Sequence, residues 1–304
     1  MIYAIGETVM DILFKNDKPI DAVPGGSAFN SAISIGRVGV PCSFIGYTGN
    51  DHVGELTVQF LRENGINIRW FEQREEVRSC ISLAFLDNAG DAHYVFYKDA
   101  PQLTKVEEIK IPEFKKNDAL LIGSYYAISN GTRAQIKAVL EHASKAGATI
   151  YYDLNFRSSH KDELEMLMPA IRENFAKATV VRGSADDFEI MWGMRDARKI
   201  YREHIAEHCP IFICTAGAGK ITVCTPQGDW DFDVPDVDNV VSTVGAGDNF
   251  NAGFLCEMDR RKTCGLLSDC WNKEMLTPLI DTGARFAAAV CRTTDNYIPT
   301  TFNF

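Results

Sequence analysis

Two kinds of hydrophobic pattern alternate along this chain. Short apolar runs closed by a glycine or a polar residue occur at 2–7, 42–46, 119–123, 149–153, 179–181 and 211–215. Runs of this kind read as buried strands. Between them lie stretches in which apolar residues recur every three or four positions, the spacing of an amphipathic helix. These cover the segment up to about 38, 51–64 with Gly65 as its stop, 132–146 with Gly147 as its stop, about 162–175, short pieces through 207, and 282–292. Glycine directly after a helical pattern marks the end of the helix. Repeated strand–helix units predict a parallel sheet covered on both faces, with ligand groups at the C-terminal ends of the strands.

The texture changes between 70 and 97. Residues 79–86 and 93–97 are β-rich and are joined by Asp87-Asn88-Ala89-Gly90-Asp91, a hairpin turn. No helical period separates them, so this part is expected to be antiparallel, outside the parallel sheet, and to act as a lid or a subunit contact. A second hairpin is expected over 221–234, turning at Thr225-Pro226-Gln227-Gly228. The expected fold is a single α/β domain over 1–304: a doubly wound, mainly parallel sheet flanked by helices. Its small β-rich lid is formed by about 70–98 with a short N-terminal segment at about 13–23. No repeat, low-complexity segment or interdomain linker interrupts it.

Composition narrows the function. The 31 Lys and Arg against 41 Asp and Glu leave a net charge of −10, without a long basic run. Nucleic acid as a main partner requires clustered cations, so it is not expected. The nine cysteines are scattered, with no CxxC pair or zinc spacing, and read as reduced thiols of a cytoplasmic protein. No stretch is apolar for long enough to cross a membrane, and no signal segment is expected.

The chemistry concentrates at Ser242-Thr243-Val244-Gly245-Ala246-Gly247-Asp248, which follows an extended apolar run (Val237, Val240, Val241) and opens a helical pattern at Phe250. Small residues at such a turn let backbone amides approach a ligand, and the start of a helix favours an anion. A carboxylate among those donors, Asp248, repels a bound phosphate. It makes sense as the base that takes a proton from a hydroxyl attacking a phosphoryl group. Elsewhere Asp11 follows the first strand, Gly25-Gly26 permits close backbone approach, and Asn30 projects from a first helical turn. Asn155, Arg157, Ser184, Asp187, Thr215 and Gly217 stand just past predicted strands.

These segments, in this order, resemble the ribokinase-like (PfkB) carbohydrate kinase family over essentially the whole chain. Gly25-Gly26 through Asn30 to Arg37-Val38-Gly39 is similar to the family's first signature, and Thr243 to Asp248 to its second. The resemblance implies an ATP-dependent kinase of a small sugar, fructokinase-like. A nucleoside or sugar-acid kinase is the alternative within the family, and a non-catalytic binding protein the alternative outside that chemistry. It assigns Asp248 as base, the Gly245, Ala246 and Gly247 amides as anion hole, and Asp11, Gly25, Gly26 and Asn30 to the sugar. Asn155 and Arg157 resemble a family Asp-x-Asn-x-Arg segment on the phosphate side. Thr215-Ala216-Gly217-Ala218-Gly219-Lys220 resembles its nucleotide loop, which brings in Gly219.

Ser184-Ala185-Asp186-Asp187 stands where relatives carry Asn-x-x-Glu, so Asp187 is the residue expected to meet Mg²⁺ through water. Ser242 replaces an aspartate that many relatives use to hold K⁺, which implies a weak K⁺ response or none. The lid needs a covering surface, which a homodimer through the lid or folding onto its own domain would supply equally.

Overall fold

The computed structural model describes residues 1–86, 92–97, 109–265 and 270–304. The predicted hairpin turn at 87–91 lies outside them. The chain opens with β1 (Ile2–Ile5), β2 (Val9–Lys15), β3 (Lys18–Gly25), α1 (Ser27–Arg37), β4 (Cys42–Gly49), α2 (His52–Glu63), β5 (Phe71–Arg74), β6 (Cys80–Leu86) and β7 (Ala92–Tyr97). It continues with β8 (Ala119–Gly123), α3 (Arg133–Ala146), β9 (Thr149–Asp153), α4 (Leu164–Lys177), β10 (Val180–Ser184), α5 (Ala185–Trp192), α6 (Ala197–Ile200) and β11 (Ile211–Thr215). The hairpin β12 (Ile221–Thr225) and β13 (Gly228–Phe232) follows, then α7 (Ala246–Arg261) and α8 (Lys273–Val290).

Nine strands form the main sheet in the order β13-β12-β11-β10-β9-β8-β1-β4-β5, parallel from β11 to β5. The strands from β11 to β4 are largely buried on both sides because both faces are covered. Tyr151, Ile211 and Ile213 pack with Phe29, Phe250, Phe254 and Trp271 in one layer. Their neighbours Tyr152 and Phe212 pack with Phe175 and Phe188 in the other. The two-residue alternation of a strand therefore divides the core between α1, α2, α7 and α8 on one face and α3 to α6 on the other. With seven strands running the same way, Ile5, Gly49, Gly123, Asp153, Ser184 and Thr215 end along one edge of the sheet.

A second, four-stranded sheet, β3-β2-β6-β7, contains the β-rich segments that the sequence suggests as a lid. Only β2 and β6 run parallel in it. Three details differ from the sequence reading. Phe71–Arg74 does not belong to the lid: β5 adds in parallel to β4 and extends the main sheet. The last helix begins at Lys273, well ahead of Thr282, because Pro278 falls inside it without ending it. The apolar run at 237–241 forms no strand, and Val240 and Val241 are exposed.

Candidate active site

Helix α7 begins beside the sheet edge. Gly245 caps it with φ of +79°, and a Cβ there would lie 2.8 Å from the Asn296 carbonyl oxygen, so the turn requires glycine. The Ala246 N–H donates to Thr243 O at 3.2 Å, and the helical ladder starts with Asn249 N–H to Gly245 O at 2.9 Å. The amides of Gly247 and Asp248 precede that ladder, the position in which helix-start amides are open to an anion. Of the three amides expected in the anion hole, the one from Ala246 is already engaged within the turn. The fully buried Asn249 fixes this geometry. Its Nδ2 donates to Gly245 O and Asn296 O, both at 2.8 Å, and its Oδ1 accepts from Ser34 of α1 at 2.5 Å.

Helix α1 holds the carboxylate of Asp248. Ser27 Oγ donates to Oδ1 at 2.7 Å and Asn30 Nδ2 to Oδ2 at 2.8 Å, while Ser31 Oγ donates to the Asp248 carbonyl at 2.8 Å. Burial pushes the Asp248 carboxyl up to about 6, against the pull of the Ser27 and Asn30 donors. An acid poised there is ionised at neutral pH and still basic enough to accept a proton. Asn30 keeps one acceptor in reserve: its buried Oδ1 has no hydrogen-bond partner among the described residues.

Asp11 reaches the same place from the lid. It follows β1, as the sequence suggested, but lies within a second strand, β2, and accepts a hydrogen bond from Ser82 of β6. A Cβ on Gly25 would come within 2.7 Å of Asp11 Oδ2, so the glycine leaves room for the acid. Gly26 caps α1 with φ of +127°, its back against the Glu7 carbonyl. Burial pushes the Asp11 carboxyl up to about 6, with Ser82 opposing and Glu7 adding to the rise.

The other half of the edge is organised by a buried arginine that the sequence reading passed over. Arg182 of β10 donates from Nη1 to Asp153 Oδ1 at 3.1 Å and from Nη2 to Thr215 Oγ1 at 2.6 Å. Asp153 Oδ2 accepts from Asn251 of α7 at 2.7 Å, and Asn251 Oδ1 accepts from Tyr151 at 3.0 Å. Ser184 and Asp187 face each other as the capping box of α5, with Ser184 N–H to Asp187 Oδ2 at 2.6 Å and Asp187 N–H to Ser184 Oγ at 3.1 Å. Burial raises the Asp187 carboxyl, and the Ser184 amide and Arg182 pull it back.

Asn155 follows β9 with φ of +40°, and Arg157 is exposed, close enough for its charge to favour ionised Asp248. Gly217, at φ of +56°, and Gly219 lie in an exposed turn after β11. A surface recess of about 480 Å³ between α8 and the C-terminal segment, lined by Arg285, Arg292 and Phe302, contains none of these residues.

Residues 1–300 match the profile of the pfkB family carbohydrate kinases. The chain belongs to that family. It is 26% identical over 285 residues to an aminoimidazole riboside kinase of Salmonella typhimurium, spanning 92% of this chain and 85% of the relative. It is 26% identical over 258 residues to a fructokinase of Escherichia coli, spanning 84% and 83%. Its fold is that of an aminoimidazole riboside kinase from Salmonella enterica solved with aminoimidazole riboside and an ATP analogue (TM-score 0.81, 22% identity, 99% and 96% of the two chains). It is equally that of a fructokinase from Vibrio cholerae bound to fructose, ADP and calcium (TM-score 0.82, 20% identity, 97% and 94%). The pfkB assignment and the ribokinase-like α/β fold expected from the sequence both stand.

Within this pfkB chain the structure brings Asp248, Asn30, Asp11, Gly25 and Gly26 together, and Thr215 with Arg182 and Asp153. Ser27 and Ser82 were missed, although Ser27 sits inside the first signature. Arg182 was missed although it directly follows the apolar run at 179–181; β10 continues through it to Ser184.

Proposed function

We propose that this protein transfers the γ-phosphoryl group of ATP to a hydroxyl of a small sugar, with fructose as the acceptor. One observation carries the reading: a buried carboxylate poised near 6 and held by Ser27 and Asn30 in the first turn of an anion-binding helix. Asp11 and the unused Asn30 Oδ1 orient the sugar beside it. The hydroxyl oxygen bonds to the γ-phosphorus as the bond to the β–γ bridging oxygen breaks. ADP leaves with that electron pair, and the hydroxyl proton passes to Asp248. The Gly247 and Asp248 amides face the equatorial oxygens, where charge collects.

Among the described residues no cluster of three or more His, Cys, Asp or Glu encloses a metal. Asp187 is the carboxylate that would meet the water shell of a Mg²⁺ bound with ATP. Bound there, Mg²⁺ would neutralise phosphate charge.

A nucleoside acceptor is the second reading. Phe96 of β7 lies in the cross-strand row of Asp11 and Ser82 and is 54% exposed, a ring against which a base stacks. The deciding experiment is ATP turnover across fructose, other sugars, sugar acids and nucleosides, with Asp248→Asn as the blank. Turnover only with nucleosides replaces the fructose reading, and the absence of turnover with every acceptor favours a non-catalytic binding protein.

A further inference from the structure

We propose that Arg182 is a positioning residue for the phosphoryl transfer, its charge fixed behind the anion hole and acting through Gly247. The proposal rests on the kinase reading above. Three adjacent strand ends converge on this guanidinium: Asp153 of β9, Arg182 itself in β10, and Thr215 of β11. Its flat end lies against the first turn of α7. A Cβ on Gly247 would sit 2.8 Å from Nη1 and 3.0 Å from Nη2, and the guanidinium carbon lies 5.9 Å from the Phe250 ring centroid. Gly247 thus has a cation where its side chain would be, and its amide precedes the hydrogen-bonded ladder of α7.

Packing alone does not account for this arrangement. Arg182 is the only Lys or Arg among the described residues that is buried, and its Nε has no hydrogen-bond partner there. A buried ion pair is a weak stabiliser compared with apolar residues of the same volume, because both charges lose their water. The arrangement suits a site where negative charge is about to collect. As the sugar oxygen bonds to the γ-phosphorus and the bond to the bridging oxygen breaks, charge spreads over the phosphoryl oxygens held at the Gly247 amide. A cation already locked by Asp153 and Thr215 needs no reorganisation at that moment, which is the condition for a large electrostatic contribution. The same contact leaves no room for a side chain at 247.

The test compares Arg182→Met, Arg182→Lys and the charge-neutral pair Asp153→Asn with Arg182→Met. Each is measured for kcat, for sugar KM, for ADP affinity by calorimetry, and for affinity of the ADP–aluminium fluoride–sugar complex, a mimic of the transferring group. Arg182→Met is expected to lower kcat by about 10²–10³, the effect of removing one such electrostatic donor. Affinity for the mimic should fall in step, while sugar KM and ADP affinity stay within about threefold and Lys restores about tenfold.

The double variant leaves no unpaired buried Asp153 and must keep the kcat loss. Its recovery to near wild-type kcat would assign the defect to the orphaned acid and overturn the proposal. So would a folded Arg182→Met with wild-type kcat, or a loss confined to ADP affinity. An inactive wild type removes the kinase reading and this inference together, whereas an active wild type matched by Arg182→Met removes this one alone.

Discussion

Asp248→Asn separates the chemistry of the base from its cost to the fold. The carboxyl stands at about 6 in the folded chain against 3.8 for the free side chain, chiefly because it is buried. Each tenfold change in proton affinity is worth about 1.36 kcal/mol, so ionised Asp248 costs the native state about 3 kcal/mol at neutral pH. The sign follows from the two values. Below 3.8 the acid is protonated in both states and costs nothing; the penalty grows as pH rises and is complete above 6. Asparagine has the same shape, can accept from Asn30, and can donate to Ser27, whose hydroxyl turns to receive it. The variant should therefore be more stable than the wild type by up to about 3 kcal/mol at pH 7.5, and by roughly half that at pH 5. It should also lose about 10²–10⁴ in turnover with ATP affinity nearly unchanged. Urea unfolding at the two pH values, beside initial rates, measures both. Equal or lower stability at pH 7.5, or near-wild-type turnover, would refute the reasoning.

Three further outcomes are expected. Asn30→Ala should weaken sugar affinity about 5- to 150-fold, the worth of about 1–3 kcal/mol for a buried hydrogen bond, and lower kcat because Asp248 loses a donor. ADP affinity by calorimetry should be unchanged, and a fall in ADP affinity alone would move Asn30 to the nucleotide side. K⁺ should activate weakly or not at all: Ser242 is neutral, Asp295 is exposed, Cys291 O already receives the Val241 amide at 2.8 Å, and Asn296 O receives Asn249. Ser242→Asp should raise any dependence in rates at constant ionic strength, and strong K⁺ activation of the unmutated protein would contradict this. The lid is expected to pair two subunits through its exposed apolar residues, Ile20, Val95 and Tyr97 among them; a monomeric mass by light scattering at micromolar concentration would rule that out.

The main sheet was legible because its strands are buried on both faces and so read as apolar runs, from Ile2 to Thr215. The lid was less so. β3 is mostly exposed and carries Lys18, Asp21 and two prolines, so composition hides it. β5 is only four residues, Phe-Glu-Gln-Arg, and its membership of the main sheet depends on β4, not on its own pattern. For the site, the glycine turn and Asp248 could be read locally because the amides and the acid are neighbours in sequence. Arg182 could not. Its role is created by Asp153, Thr215 and Gly247, which come from three other elements, and a lone arginine in an apolar strand does not reveal that they meet.

The attachment of Asp248 to α1 has a consequence for how activity arises as the protein is made. The carboxylate proposed as the base is oriented by Ser27 and Asn30, which precede it by 221 and 218 positions. A growing polypeptide that has completed the N-terminal helix and the lid still lacks the group that takes the proton. Once Asp248 emerges, it functions only after docking onto a helix synthesised long before. Phosphoryl transfer is thus withheld from incomplete chains, and the appearance of turnover during refolding reports closure of that distant contact, whereas helix content reports only local order.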